Sequence, residues 1–96
     1  MNQQEFQNSI RDDYPPKGLT PFLLALWYDA KGDWESSHNI AQDINTKDGA
    51  LIHAYLHRKE GDIWNADYWY GRAGTKRPPG TLEDEWKYLV KEFLLK

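Results

Sequence analysis

The chain has 96 residues, a length that supports one domain with a single modest core. Tryptophan, tyrosine and phenylalanine make up 15% of the residues, which argues against an intrinsically disordered chain. There is no cysteine, which excludes a disulfide scaffold, thiolate zinc ligands and a cysteine nucleophile. The formal net charge of −3 argues against a surface built throughout for nucleic acid or anionic lipid.

The N-terminal residues are polar and acidic and do not resemble a signal peptide. The longest apolar run, residues 22–28, is far shorter than the about 20 residues that a membrane-spanning helix needs. We therefore expect a cytoplasmic protein with no membrane partner.

The first predicted element is a polar tail or short helix within residues 1–18, which Pro15 and Pro16 end. A second helix is predicted to begin at Thr20, the N-cap, with Pro21 at its first position. It is expected to end near Gly32, because glycine reaches the left-handed conformation without a steric penalty.

Three more helices are predicted in the rest of the chain, with a fourth at its C-terminus. One follows Asp33, one spans residues 49–60, and one lies between the cap Asp62 and Gly74. The last occupies about residues 82–96 and carries one apolar stripe behind the cap Thr81. No alternating strand pattern of useful length occurs, so the predicted fold is all-α.

The chain contains an internal repeat with an offset of 29 residues. Adding 29 maps Gly32-Asp33 onto Gly61-Asp62, Ala25 onto Ala54, and Trp34 onto Ile63. The sequence therefore predicts two helical hairpins, at about residues 20–45 and 48–74, within a single domain of residues 19–96. One hairpin cannot cover its own apolar face, so the second is expected to stack on the first.

These residues resemble a known class of repeat. A small residue in the first helix, a Gly-Asp turn and a small residue in the second helix make each copy similar to a tetratricopeptide (TPR) or Sel1-like repeat. The segment HAYLHRKEGD, followed by NA and YWY, also resembles a small family of uncharacterised microbial proteins. The period is shorter than the about 34 residues of the TPR, and the terminal proline of the TPR pattern is missing.

The resemblance implies two antiparallel hairpins in a right-handed stack, with the C-terminal helix as a cap. It also implies that the first helix of each hairpin lines a groove for a protein or peptide partner, without catalysis. The register places Phe22, Leu26, Asp29, Leu51, Tyr55 and Arg58 in that groove. Our predicted binding residues are Asp29, Tyr55, His57 and Arg58, with Arg58 as the anchor for a carboxylate.

His53 and His57 suggest an alternative function. Their i, i+4 spacing can hold a divalent metal, but a third ligand, for example His38 or Asp62, must come from elsewhere. The alternative is a small metal- or phosphate-dependent enzyme centred on these two histidines and Arg58. We favour two partly buried, hydrogen-bonded histidines, and so predict no metal, no cofactor and no catalytic residue.

Trp64, Tyr68 and Trp69 lie on the outer side of the predicted fourth helix of the repeat region. Aromatic outer faces are usually covered, either by the C-terminal helix, which we favour, or by a partner such as a second copy in a homodimer. Five basic residues interleave with aromatics between residues 55 and 77, but the acidic chain disfavours nucleic-acid binding.

Overall fold

The computed structural model describes residues 1–96 and contains six helices and no strand. The helices are α1 (Gln3–Ser9), α2 (Pro21–Ala30), α3 (Trp34–Gln42), α4 (Lys47–Lys59), α5 (Ile63–Arg72) and α6 (Leu82–Leu94). The all-α prediction is confirmed, and the N-terminal segment forms a short helix. None of the helices is long and apolar enough to cross a membrane.

The predicted N-caps are confirmed. Thr20, Asp33 and Asp62 each accept a hydrogen bond from the backbone N–H three residues later, and Thr81 does the same for α6. The cap of α4 differs from the prediction. Thr46 caps this helix, so α4 begins two residues before the predicted Gly49.

The 29-residue repeat is visible in the backbone. Gly32 and Gly61 have φ angles of 84° and 89°, the left-handed conformation that glycine adopts freely. In the first turn the N–H of Asp33 donates to the carbonyl of Tyr28, and in the second Asp62 donates to His57, both at 3.0 Å. This is the helix-ending pattern of the Schellman motif, and it makes α2–α3 and α4–α5 two similar hairpins.

The main core comprises twelve buried residues from every helix except α5. Phe22 of α2 stacks on Phe93 of α6 at a centroid distance of 4.8 Å. The Trp86 indole N–H, also on α6, donates to the carbonyl of Leu26 at 3.1 Å. Helix α6 therefore covers the surface formed by the first helices of both hairpins, α2 and α4.

The expectation that the C-terminal helix covers the aromatic side of α5 is wrong. Helix α6 packs against α1, α2 and α4, and reaches α5 through a polar contact between Glu85 and Tyr70. Trp64 is 82% exposed and Tyr68 is 49% exposed. The physical reason is that the apolar stripe of α6 is used entirely in the main core.

Helix α1 belongs to this core. Phe6 is completely buried and lies 6.0 Å from the Trp86 ring, and the Trp27 indole N–H donates to the carbonyl of Ser9 at 3.3 Å. The N-terminal helix therefore contributes to the packing of α2 and α6.

We predict that Phe6→Ala lowers the free energy of unfolding by about 3–5 kcal/mol, because it leaves a cavity in the main core. Chemical denaturation would measure the change. Tyr14→Ala, at a position that is 81% exposed, is the matched control and should change it by less than about 0.5 kcal/mol. Equal stability of both variants would contradict a structural role for α1.

Candidate functional site

Two of the predicted binding residues contact each other beneath α6. Asp29 of α2 and Tyr55 of α4 are each only 2% exposed, and the Tyr55 hydroxyl donates to Asp29 at 2.8 Å. Lys59 donates to the other carboxylate oxygen at 2.9 Å. Burial and the nearby Asp29 carboxylate raise the pKa of the Tyr55 phenol. The phenol therefore remains a hydrogen-bond donor.

An open cavity of about 450 Å³ lies beside this pair, with Asp29, Tyr55 and Lys59 on one side and Trp86 on another. The Asp29 carboxylate is already paired twice within the chain, so a ligand here would have to compete with Lys59 for it.

Arg58 lies apart from that cavity. Its Nη1 donates to Glu85 at 2.9 Å and its Nη2 donates to the carbonyl of Gly80 at 2.6 Å. Glu85 is only 5% exposed and also accepts the Tyr70 hydroxyl. The predicted carboxylate anchor is therefore paired with a carboxylate of its own chain, where it links α4 to the first turn of α6.

The histidines form a separate cluster between the two hairpins. His38 of α3 meets His53 and His57 of α4, and one ring nitrogen of each lies within 4.8 Å of the others. The Nε2 atoms of His38 and His53 are 2.8 Å apart, a hydrogen bond between two rings. The pair that the sequence places on one helix face is thus completed by His38, one of the two candidate third ligands.

Glu60 holds the third ring of the cluster. Its carboxylate Oε1 lies 2.6 Å from Nδ1 of His57, one helical turn away. Because Nδ1 is held by this contact, Nε2 is the nitrogen of His57 that remains for another partner.

Two tryptophans flank the cluster. Trp34 stacks on His38 with ring centroids 4.7 Å apart, and Trp69 stacks on His53 at 4.1 Å. The Trp34 indole N–H donates to the carbonyl of Leu56 at 2.8 Å, which fixes its plane. Sequence reasoning missed this role of Trp69. The 29-residue offset aligns Trp69 with the apolar residue Ile40, and this alignment is the sequence signal that Trp69 faces inward.

The electrostatics of the cluster favour neutral rings at His53 and His38. Burial, together with repulsion from His38 and His57, lowers the pKa of His53 from 6.5 to about 4. Burial and the neighbouring His57 also lower the pKa of His38, while Glu60 acts in the opposite direction. At neutral pH these two rings are therefore uncharged. Each can accept a hydrogen bond or bind a metal ion through its unprotonated nitrogen.

Arg58 is not part of this cluster, because its guanidinium points to α6. The predicted grouping of His53, His57 and Arg58 is therefore divided between two places in the fold. This division argues against a phosphate-dependent enzyme built on the three residues.

Comparison of the chain with protein-family models, with curated proteins and with solved structures finds no match. The resemblance to TPR and Sel1-like repeats therefore stays a prediction.

We predict that His53 makes stability depend on pH. Its pKa is about 4 in the folded chain and 6.5 when the ring is unperturbed. Between these values the unfolded chain binds a proton that the folded chain does not, so the free energy of unfolding falls as pH decreases from 6.5 towards 4. Urea denaturation at several pH values would measure this loss.

His53→Gln is the control, because glutamine does not titrate in this range. The variant should lose less stability than the wild type over the same pH interval. Parallel losses in the two proteins would show that His53 is not responsible.

Proposed function

We propose that this chain is a small, non-catalytic interaction module of the cytoplasm, built from two TPR-like hairpins in a right-handed stack. The observation that supports it best is an uncovered aromatic surface on α5. We call Ile63, Trp64 and Tyr68 the outer patch. Its members are 36%, 82% and 49% exposed, and α6, which could have covered them, packs elsewhere.

Two features support the TPR-like architecture. The hairpins share the same turn geometry at the 29-residue offset, and Ala25 and Ala54 are both fully buried where each first helix packs. Helix α3 packs against α4, and α2 also packs against α4, so successive helices are in contact as in a solenoid. Helix α6 packs across α2 and α4, not on the outer end of the second hairpin where a terminal cap is expected.

The outer patch has the composition of a binding surface. Trp64 and Tyr68 are four residues apart and share one face of α5. Aromatic side chains are enriched at protein interfaces and among the residues that contribute most to binding. A single exposed tryptophan offers about 150–250 Å² of area to bury, at a low cost in side-chain entropy.

Arg72 gives the patch a charge preference. Its guanidinium lies 5.9 Å from the Tyr68 ring and donates to the Tyr68 hydroxyl at 3.0 Å. The contact is not an ion pair and uses one guanidinium nitrogen, so Arg72 keeps further N–H donors for a partner. The patch therefore fits a protein or peptide segment that combines an apolar side chain with a nearby carboxylate.

We predict that Trp64→Ala weakens peptide binding about tenfold or more, because it removes the most exposed aromatic of the patch. Peptides would be selected from a random displayed library on the wild-type chain. Their dissociation constants would then be measured with Trp64→Ala and with Tyr14→Ala, whose tyrosine is equally exposed but lies outside the patch.

Peptide binding that survives Trp64→Ala but is lost in a variant outside the outer patch, such as Tyr14→Ala, would contradict the assignment of the binding surface to the outer patch. Both substitutions should leave the melting temperature nearly unchanged, because both side chains are exposed.

A homodimer is one form of this proposal, with a second copy of the chain as the partner. Sedimentation equilibrium at several concentrations should then show association in the wild type and a monomer in Trp64→Glu. Association that is identical in both proteins would place the dimer contact outside the outer patch, whereas a strict monomer would leave a different protein or peptide as the partner.

A further inference from the structure

We propose that His38, His53 and His57 bind one divalent transition-metal ion of the zinc type between the two hairpins. The proposal does not depend on the interaction function, because the ligands lie between α3 and α4 and the outer patch lies on α5. All three histidines of the chain take part. The chain therefore has no other histidine with which an ion could pair.

The ring nitrogens are already close to a coordination geometry. Zinc–nitrogen bonds of about 2.0–2.1 Å in a tetrahedron put neighbouring ligand atoms about 3.3 Å apart. The Nε2 atoms of His38 and His53 are 2.8 Å apart, and the His57 nitrogen lies within 4.8 Å of both. The first pair must therefore separate slightly, and the His57 nitrogen needs to approach by at most about 1.5 Å.

Glu60 is an independent observation that points to a metal. Metal-binding histidines almost always give their second ring N–H to a carboxylate, carbonyl or water, which fixes the ring and its tautomer. The 2.6 Å contact between Glu60 and Nδ1 of His57 is an arrangement of this kind. This contact leaves Nε2 of His57 to bind the ion, and Nε2 is also the proposed ligand atom of His38 and His53. The Glu60 carboxylate partly offsets the positive charge of the ion.

The donor set selects the class of ion. Three imidazole nitrogens with no carboxylate among the proposed ligands suit zinc, copper, nickel or cobalt, whereas magnesium and calcium require oxygen donors. The protein supplies three ligands, so a fourth position is left for water or for a donor from a bound molecule.

A competing set of ligands shares one histidine with this cluster. His57, Glu60 and Asp62 also bring one donor each to within 4.8 Å of the others. However, Asp62 already accepts the backbone N–H of Asn65 as the cap of α5, and Glu60 and Asp62 are exposed. The three-histidine set is the more buried of the two. Only this set contains His38, so a substitution of His38 distinguishes the two sets.

The primary test is a titration of zinc chloride into untagged, chelator-treated protein, monitored by isothermal titration calorimetry. Thermal unfolding is then measured with and without zinc. We expect one ion per chain and a rise in melting temperature. Trp34 and Trp69 stack on two of the ligands, so copper or nickel should quench tryptophan fluorescence while zinc should not. Cobalt should give the absorption bands of a tetrahedral nitrogen site.

His38→Ala should weaken zinc binding by about 100-fold or more, because a two-histidine site remains. Glu60 provides a second variant at an exposed position that does not endanger folding. Glu60→Ala should weaken binding about 10- to 100-fold, the range typical of such supporting contacts, and Glu60→Gln should weaken it less because the amide oxygen can still accept from Nδ1–H. Glu83→Ala, also exposed, makes the same charge change on α6, which does not contact α3, and should bind like the wild type.

The absence of stoichiometric binding by zinc, copper, nickel and cobalt would overturn the proposal. Binding that survives His38→Ala but is lost in Asp62→Asn would also overturn it and assign the ion to the exposed set. Neither outcome bears on the outer patch, whose test uses peptides and Trp64→Ala.

Discussion

The packing of α6 across α2 and α4 is the constraint on which the rest of this structure depends. A chain of 96 residues can form only one modest core, and the first helices of the two hairpins form a surface that carries seven of the twelve buried residues of that core. Helix α6 supplies Leu89, Val90 and Phe93 to that surface, all at most 2% exposed. The hairpins alone would leave it open to water, so α6 and the two hairpins share one core.

Polar contacts also fix the position of α6. Glu85 is buried and is satisfied by Arg58 and by the Tyr70 hydroxyl, which joins α4, α5 and α6. Asp29 is satisfied by Tyr55 and Lys59 in the same way. Removing one partner of such a buried ion pair lowers the free energy of unfolding by about 3–5 kcal/mol, because the remaining carboxylate is left unpaired in the core.

The surface that α6 covers determines which surfaces stay available. Because α6 occupies the first-helix side, the outer side of α5 remains open and the histidines meet between α3 and α4. Trp69 connects the two regions. It stacks on His53 at 4.1 Å on one side and meets the Tyr68 ring at 5.3 Å on the other. An ion on the histidines and a partner on the outer patch would thus be separated by a single aromatic side chain.

The sequence alone determined the local architecture. Thr20, Asp33, Asp62 and Thr81 begin their helices as predicted, and Gly32 and Gly61 end theirs. These features depend on residues within one turn of each other, so they can be read from neighbouring positions. The i, i+4 histidine pair could be read for the same reason, and the repeat could be read because its matches recur at one fixed offset of 29 residues.

The tertiary structure alone decided where α6 packs, which partner Arg58 takes and which candidate, His38 or Asp62, completes the buried histidine cluster. Arg58 pairs with Glu85, 27 residues later, and His38 meets His53 from the neighbouring hairpin. An amphipathic stripe shows that a helix must be covered, but not by what. That choice depends on the shapes of surfaces that exist only once the helices are packed together.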